Sequence, residues 1–352
     1  MRKAHRKTSR TPVWLSWFIG RLGYGLLTAW VISLVVFIAT QALPSDPARV
    51  ILGPDAPLQS VLTLRQQLGL DQPIILQYLR WLGRALSGDL GISLDSNAAV
   101  AGILFSRFGN SLALVAGVFL LAVPAALALG VALALRRDRR LDRWSLSLLI
   151  FLKATPGFLL AIALVLLFSM PHMDLLPAVS ILDPERPLLR QLQFLVLPVV
   201  ALSLSTLPYL TRLVRSSMIE ALESDYVIAA RLRGIPQWRI VWRHTLPNAL
   251  VPAIQGVALT LRILLGGALL AEVVFSYPGI GTLLNAAIQM RDLPMIQACV
   301  LVITLSVVLI NLLADLLTVL STPRLRTAWR VSLIQRNQRG IQPWWRRSPK
   351  AP

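Results

Sequence analysis

The sequence predicts an all-α, polytopic membrane protein with six transmembrane helices. Of its 352 residues, 55% are apolar and only 14% are charged, which is far from the balance of a soluble domain. Six apolar runs each reach the roughly 20 residues that a spanning helix needs. These runs cover residues 22–43, 109–135, 144–170, 192–214, 248–274 and 296–320. Most of the chain is therefore expected to lie in lipid.

The positive charges are divided unequally between alternate connections. The formal net charge is +19, and 25 of the 35 Lys and Arg residues lie in the N-terminus, in two alternate loops and in the C-terminal tail. Only 8 lie in the other three connections, although one of these, residues 44–108, is the longest. The positive-inside rule then predicts that both termini are cytoplasmic. We therefore attribute the net charge to membrane orientation and expect no nucleic-acid partner.

The same pattern divides the chain into three parts. Residues 1–21 form a basic cytoplasmic N-terminus, residues 22–320 the six-helix membrane domain, and residues 321–352 a basic cytoplasmic tail. Within the membrane domain, residues 44–108 are expected to be extracytoplasmic and residues 215–248 to form a cytoplasmic loop. The first apolar run has no convincing cleavage site at its end, so it predicts a spanning helix and not a cleavable signal.

The long extracytoplasmic segment opens irregularly and then contains a predicted amphipathic helix. Four prolines and a glycine between residues 44 and 57 disfavour regular structure. Further along, apolar side chains recur at near-helical spacing at Ile74, Ile75, Tyr78, Leu79, Leu82 and Leu86. Such a helix either lies on the outer membrane face or packs against its own bundle, and the pattern favours neither.

Several predicted spans contain helix-breaking residues: Pro124, Pro156–Gly157, Pro198, Pro208, Pro252 and Gly266–Gly267. Breaks of this kind occur in ordinary transmembrane packing, and they also occur at substrate paths and moving joints. We expect ordinary packing at any single proline.

Four ionisable residues lie in or near the spans. Glu272 is close to the end of the fifth apolar run, and Asp315 lies within the sixth. A charge at membrane depth is a candidate functional residue, because burying it in lipid is costly. Lys153 and Arg262 have long stems that can carry their charges toward an interface.

The sequence lacks the motifs of an enzyme or an ATPase. The chain has four lysines, and none follows a glycine-rich phosphate-binding loop. His5, His172 and His244 are dispersed, and Cys299 is the single cysteine, so neither a metal site nor a nucleophile–base pair is predicted. We expect no catalytic residue, no bound metal and no cofactor in this chain.

The cytoplasmic loop contains the most informative local pattern. Apolar spacing predicts a helix from Met218 to Arg233, Gly234 supplies a stop, and Pro236 can begin a second short helix. A basic amphipathic element of this kind can lie on the inner leaflet, pack under its own bundle or dock in a groove of a soluble partner. The small pair Ala229–Ala230 and the glycine corner favour docking, because they allow close backbone approach.

These residues resemble a known family. The spacing of Ala229–Ala230, Gly234 and Leu246–Pro247 is similar to the Glu-Ala-Ala loop of the membrane subunits of binding-protein-dependent ABC importers. The wider pattern resembles the B-type permease of the dipeptide, oligopeptide and nickel branch. Other matching pieces are Leu43–Pro44, Asp46–Pro47, Leu68–Asp71, Gln77–Tyr78, Gly88–Gly91, Glu272, Phe275–Ser276, Pro278–Gly281, Arg291–Asp292, Asn311 and Asp315.

The resemblance implies a fold, a location and a set of partners. The fold would be that of a type I ABC importer permease in the bacterial inner membrane. The partners would be a second permease in a heterodimer, two cytoplasmic ATPases that bind ATP and Mg²⁺, an extracytoplasmic solute-binding protein facing residues 44–108, and membrane lipid. The expected cargo is a di- or oligopeptide or a related small solute.

The resemblance also implies roles for particular residues. The residues expected to couple this chain to the ATPases are Asp225, Tyr226, Ala229, Ala230, Arg233, Gly234, Leu246 and Pro247. The candidates for the translocation path or its gate are Glu272, Asp315, Arg291 and Asp292.

Three positions depart from the family pattern or extend beyond it. Ile228 stands where the broader motif has Glu, although this branch often lacks that residue. Ser321–Arg324 replaces the usual Asp-Pro-Arg, and the tail with Trp344–Trp345 extends past the familiar end as an inner-leaflet anchor or a disordered basic segment.

Two rival functions are also compatible with the sequence. One is a self-sufficient secondary transporter or channel that uses intramembrane carboxylates such as Glu272 and Asp315. The other is a membrane-bound sensor or scaffold without transport.

Overall fold

The computed structural model describes residues 13–41, 52–53, 56–169, 175–183, 186 and 188–321. Its long and short α-helices are α1 (Val13–Gln41), α2 (Leu58–Leu68), α3 (Ile74–Leu86), α4 (Val100–Leu135), α5 (Arg140–Ala154), α6 (Gly157–Phe168), α7 (Gln193–Leu222), α8 (Asp225–Leu232), α9 (Leu246–Val274), α10 (Ile280–Met290) and α11 (Leu293–Ser321). A short helix, Gln237–Arg239, continues through a π-helical stretch, Ile240–Thr245, directly into α9. The expectations for residues 1–12, Leu43–Pro44, Asp46–Pro47, His172 and the tail from 322 to 352 lie outside the described residues.

Five unbroken helical stretches are long and apolar enough to cross a membrane in the described part of the chain. They are α1, α4, α7, the continuous stretch Gln237–Val274, and α11. The third predicted span is instead a pair of helices, α5 and α6, which meet at a bend of 106°. The relative directions of α4 and α7, the helices before and after this pair, show whether the pair crosses the membrane.

Helices α4 and α7 run parallel to each other. A Cβ built on Gly117 would lie 3.0 Å from Val199, and one built on Gly130 would lie 2.7 Å from Val214, so the contacts advance together along both helices. Two parallel spans need one crossing in the opposite direction between them, and α5 with α6 is the segment that connects them. The bent pair is therefore one span, which gives the six crossings predicted from the sequence.

The two ends of the bundle are defined by contacts at the start of α5 and after α6. At one end, here called the loop end, Arg215 in the last third of α7 donates to both carboxylate oxygens of Asp142, at 2.8 and 2.6 Å. At the other end, here called the far end, Ser180 donates its N–H to Phe275 and its hydroxyl to Phe194. The chain thus passes from the loop end to the far end through α5 and α6.

Helix α1 packs antiparallel to α11 along most of its length. Arg21 pairs with Asp315 at 3.1 Å near the loop end, and Gln297 donates to Thr40 at 2.9 Å near the far end. The first and last spans therefore run in opposite directions, as the predicted alternation of six crossings requires.

Only one of the predicted proline breaks interrupts a span. Pro124, Pro198, Pro208 and Pro252 all lie inside continuous helices. Pro156 alone separates two helices, because the chain is extended at Thr155 and Pro156 before α6 begins. The other four prolines lie in continuous helices, which agrees with the ordinary packing that we expected at any single proline.

Two other sequence expectations need correction or refinement. The helix predicted from Met218 to Arg233 is broken at Glu223–Ser224, because Ser224 adopts an extended conformation and turns the chain between α7 and α8. The predicted amphipathic helix is α3, and it packs against its own bundle: Tyr78 is buried against α1, while Ile75 and Leu86 remain exposed.

The main core lies where α4, α7 and α9 meet. Its buried side chains include Leu114 and Val118 of α4, Leu197 of α7, Leu264 of α9, and Phe275 directly after the end of α9. Glycines in these helices permit the close approach, since Gly130 faces Val214 and Gly256 faces Leu213. The helices α7 and α9, on either side of the loop of residues 225–245, are thereby packed together along their length.

We predict that Gly130→Ala destabilises the bundle. The added methyl group would lie 2.7 Å from Val214 and 3.0 Å from the carbonyl oxygen of Thr211, so a backbone atom has to move. Overpacking of this kind costs about 1–3 kcal/mol. The thermal midpoint of the detergent-purified protein should fall by several degrees.

Gly109→Ala is the matched control on the same helix, because nothing lies within 4 Å of a Cβ at Gly109. Its midpoint should stay the same or rise, since alanine favours a helix over glycine by about 1 kcal/mol. Equal effects of the two substitutions would contradict the close α4–α7 contact.

Candidate functional site

The loop between α7 and α9 has the helix, turn and second helix predicted from its sequence. Helix α8 (Asp225–Leu232) is followed by a turn at Gly234, and Pro236 immediately precedes the short helix Gln237–Arg239. Helix α7 leads into this element through a two-residue turn, Glu223–Ser224, and the element runs directly into α9, so the loop is attached closely to two spanning helices. We refer to residues 225–245 as the coupling loop, after the role that the family resemblance implies.

The turn depends on the backbone conformation of Gly234. Its φ is +73°, in the left-handed region that side chains other than glycine disfavour. The turn is closed by hydrogen bonds from the Gly234 N–H to the Arg231 carbonyl, at 2.9 Å, and from the Ile235 N–H to the Ala230 carbonyl, at 3.2 Å. Nothing lies within 4 Å of a Cβ built at Gly234, so the constraint within this chain is conformational and not steric.

The coupling loop has a small core of its own. Val227 and Ala230 of α8 are buried against Ile240, and Ile235 packs beside them. The Asn248 side chain donates to the Tyr226 hydroxyl at 3.1 Å and to the His244 carbonyl at 3.0 Å, which ties α8 to the start of α9. The two helices of the loop are therefore held in a fixed relation before any partner binds.

The opposite side of the coupling loop is an exposed, mainly apolar and basic surface. Leu232 is 85% exposed, Trp242 64% and Trp238 63%, and Ile228 is exposed with them. Ala229, Arg231, Arg233 and Pro247 are also exposed, whereas Leu246 is half-buried. Exposed large apolar side chains beside positive charges are typical of an interaction surface. Of the predicted pair of small residues, Ala230 faces inward and Ala229 faces outward.

The first candidate path residue, Glu272, is fully buried in a turn at the far end. Its carboxylate accepts a hydrogen bond of 2.6 Å from the N–H of Gly281 in the first turn of α10. A Cβ at Gly279 or Gly281 would overlap this carboxylate or the Leu269 backbone, so the two glycines make room for it. Glu272 thus holds the turn from α9 to α10 by capping a helix N-terminus.

The same turn is fixed to α4 by three further hydrogen bonds. The Tyr277 hydroxyl donates to the Asn110 carbonyl and the Asn110 amide donates to the Pro278 carbonyl, both at 2.8 Å. Ser111 accepts from the Ile280 N–H at 2.9 Å. We call this set of contacts the far-end clamp, because it joins α4, α9 and α10.

A small cavity adjoins the clamp. It has a volume of about 20 Å³ and is lined by Glu272, Ser111 and Ser306 among apolar side chains. One carboxylate oxygen of Glu272, Oε1, has no hydrogen-bond partner among the described residues. The cavity has the room that one water molecule needs, and a water there would satisfy that oxygen.

The other three candidate path residues have structural contacts or an exposed position. Asp292 is buried, accepts from the Ser93 hydroxyl at 2.5 Å, and caps α11 through the Met295 N–H at 3.3 Å. Arg291 is exposed and ends α10 with a φ of +56°. Asp315 is paired with both Arg21 and Arg262, each at 3.1 Å, and joins α1, α9 and α11.

Sequence reasoning missed two polar contacts that hold the bundle together. Asp142 is buried and receives both nitrogens of Arg215, and Asn110 bridges two backbone groups of the far-end clamp. Asp142 could have been singled out as an acidic residue at the edge of a strongly basic loop. Within the described part of the chain, no group of three or more His, Cys, Asp or Glu side chains is arranged to hold a metal ion.

Comparison with known proteins identifies the family. Residues 126–327 match the model of the binding-protein-dependent transport system inner membrane component, and residues 14–116 match the N-terminal model of such components. The chain belongs to this family of ABC importer permeases. It is a transmembrane permease subunit of the dipeptide and oligopeptide branch, a multi-pass protein of the inner membrane that works with partner ATPases and a binding protein.

The permease is similar over nearly its whole length to curated relatives. The glutathione transport system permease protein GsiC of Escherichia coli O6:H1 (strain CFT073) is 36% identical over 312 residues, which cover 89% of this chain and 99% of the relative. GsiC of Escherichia coli strain K12 is 35% identical over 312 residues with the same coverage. GsiC of Salmonella paratyphi A is 36% identical, also over 312 residues and with the same coverage.

We predict that Glu272→Ala lowers the thermal stability of the permease. The substitution leaves the Gly281 N–H buried without its acceptor, which costs about 1–3 kcal/mol. The midpoint of thermal unfolding in detergent should therefore drop, while Arg291→Ala, at an exposed position in the same region, should change it little. Loss of transport by Glu272→Ala at an unchanged midpoint would contradict the clamp and place Glu272 on the path.

Proposed function

We propose that the coupling loop is the site at which this permease docks into a groove on its partner ATPase. The observation that carries the proposal is the exposed apolar surface of Ile228, Leu232, Trp238 and Trp242 on a loop with its own core. A preformed element loses little conformational entropy on binding, and exposed Trp side chains are frequent anchors at interfaces.

The attachment of the loop supports a mechanical role. Only two residues, Glu223 and Ser224, separate it from α7, and it runs directly into α9. Because α7 is packed closely on α4 and α9, a displacement of the loop should be transmitted to these spans as a rigid-body tilt. ATP-driven closure of the ATPases would in this way alternate the access of the translocation path.

The remaining parts of the assembly follow from the same proposal. The permease would form half of the path in a heterodimer with a second permease. ATP and Mg²⁺ would be bound by the two ATPases, and this chain would contribute no nucleotide site or catalytic residue. The loop end, with the basic residues of positions 136–143 and 231–243, would face the cytoplasm together with both termini.

A peptide-class cargo is the substrate that the comparisons favour. The relatives covering nearly the whole chain are named as glutathione transport permeases, and glutathione is itself a small peptide. The cargo would be delivered at the far end by the solute-binding protein, which would contact the segment of residues 44–108.

A secondary transporter based on intramembrane carboxylates is disfavoured by the contacts of those carboxylates. Glu272 is held by a backbone N–H in the far-end clamp, and Asp315 is paired with two arginines. A carboxylate that cycles protons or ions needs access to an aqueous path, which these contacts do not favour.

Docking is tested by Leu232→Glu and Ala229→Asp. Both positions are exposed, so the charges leave the loop's own core intact, whereas Ala230→Asp would place a charge inside it. A charge at the centre of an apolar interface costs about 2 kcal/mol or more, so ATP hydrolysis by the reconstituted assembly should fall roughly tenfold or more. A tagged permease should also retain less ATPase on purification.

Leu141→Glu is the matched control at the same end of the bundle. Leu141 is 58% exposed in the first turn of α5, where a negative charge suits the helix dipole. This variant should keep both ATP hydrolysis and ATPase retention. Normal retention and hydrolysis in the two loop variants would show that the ATPase binds elsewhere.

The substrate class is tested separately through the cognate binding protein. We expect that this protein, purified from cells, carries a short peptide that is identified by mass spectrometry. A metal chelate or a sugar in its place would contradict the peptide assignment and leave the docking site unaffected.

A further inference from the structure

A cleft at the far end of α1, lined by both apolar and polar side chains, is not used by the proposed docking or by the far-end clamp. Its volume is about 660 Å³, and its lining includes Gln41, Arg80, Trp81, Arg84, Pro294 and Gln297. It lies between the last turn of α1, the amphipathic helix α3 and the first turns of α11. We call it the α1–α3 cleft.

The charge of the cleft is positive and uncompensated. Arg80 and Arg84 are one helical turn apart on α3, and no acidic residue is among the described residues that line the cleft. Neither guanidinium group has an ion-pair or hydrogen-bond partner in the described part of the chain, whereas the neighbouring Arg65 is paired with Asp71. Two guanidinium groups at this spacing are suited to a phosphate group, which they can contact with paired N–H donors.

The depth of the cleft is set by the two spanning helices beside it. Helix α1 ends at Gln41 and α11 begins at Leu293, and both of these residues line the cleft. The ends of spanning helices lie where the hydrocarbon region gives way to the phospholipid headgroups. The cleft is thus at headgroup level in either orientation of the protein.

Helix α3 is positioned to contact acyl chains as well. It packs beside the last turns of α1, where the Tyr78 hydroxyl is 2.8 Å from the Ser33 hydroxyl and the Phe37 ring is 5.4 Å from the Tyr78 ring. Ser33 lies about two turns inside the end of α1, so α3 is not raised above the membrane. Its exposed apolar stripe consists of Ile75, Leu79 and Leu86, of which Ile75 is 75% and Leu86 81% exposed.

We propose that the α1–α3 cleft binds an anionic glycerophospholipid. Arg80 and Arg84 contact its phosphate, Trp81 lies at the headgroup boundary where this side chain is favoured, and the exposed stripe of α3 contacts an acyl chain. The Gln72 side chain also lines the cleft, and its carbonyl oxygen accepts no hydrogen bond among the described residues.

Titration with a short-chain phosphatidylglycerol tests the proposal. Dioctanoyl phosphatidylglycerol is added to the detergent-purified full-length permease, and binding is followed by native mass spectrometry and by the thermal midpoint. We expect a saturable adduct and a raised midpoint, and a smaller effect of the phosphatidylcholine analogue. Equal effects of the two lipids would overturn the proposal.

Arg80→Gln with Arg84→Gln is the decisive variant. An arginine near an anionic lipid surface contributes about a fivefold gain in affinity, so loss of both should weaken binding roughly thirtyfold. The double variant Arg186→Gln with Arg190→Gln removes the same charge from another connection and should bind like the wild type. Unchanged affinity in the Arg80 and Arg84 variant contradicts the assignment.

Two further measurements distinguish a bound lipid from a bound soluble anion and from a loss of folding. The midpoint of the Arg80 and Arg84 variant without added lipid should equal that of the wild type, and Arg80→Lys with Arg84→Lys should restore part of the affinity. Inorganic phosphate and a dipeptide should not displace the lipid at millimolar concentration. Displacement by either would assign the cleft to a soluble anion and overturn the lipid proposal.

Discussion

The close packing of α7 against α4 and α9 is the contact on which the rest of the structure depends. Gly130 and Gly256 let these helices approach until Val214 and Leu213 fill the space that larger residues would need. In lipid there is no hydrophobic force between helices, so association rests on such close contact and on polar interactions. Asp142 and Arg215 supply a polar interaction at the loop end, where α5 joins the same packed group. This packing also determines the position of the coupling loop, because the loop follows α7 after the two-residue turn Glu223–Ser224 and runs directly into α9.

The two ends of the bundle are built differently. At the far end, the buried carboxylate of Glu272, the Tyr277 hydroxyl and the Asn110 amide join three helices through hydrogen bonds. At the loop end, α8 and the short second helix contact each other and expose large apolar side chains. If α7 and α9 are held at the far end and the coupling loop is moved by the ATPase at the other end, we expect these spans to tilt. Under the proposed docking, this asymmetry suits a permease that is driven from one side.

Much of this arrangement was predictable from residue patterns, and the parts that were not depend on long-range contacts. The six spans follow from apolar length, and the corner of the coupling loop follows from Gly234 and Pro236, because only backbone rules are involved. The break at Ser224 was not predicted, since apolar spacing runs through it without interruption. Glu272 could be identified as costly at membrane depth, but its acceptor role depends on Gly281 returning beside it after a turn. The pairing of Asp142 with Arg215 likewise joins residues far apart in the sequence, which no local pattern encodes.

The central claim is that residues 225–245 contact the ATPase, and site-specific photo-crosslinking tests it most directly. Leu232, on the exposed surface of the loop, is replaced by p-benzoylphenylalanine in the assembled complex, and Leu141 is replaced in the same way as a reference at the same end of the bundle. Irradiation should give a covalent permease–ATPase product from position 232 and none from position 141. A complex that hydrolyses ATP but yields no such product from position 232, or yields it equally from position 141, would contradict the account.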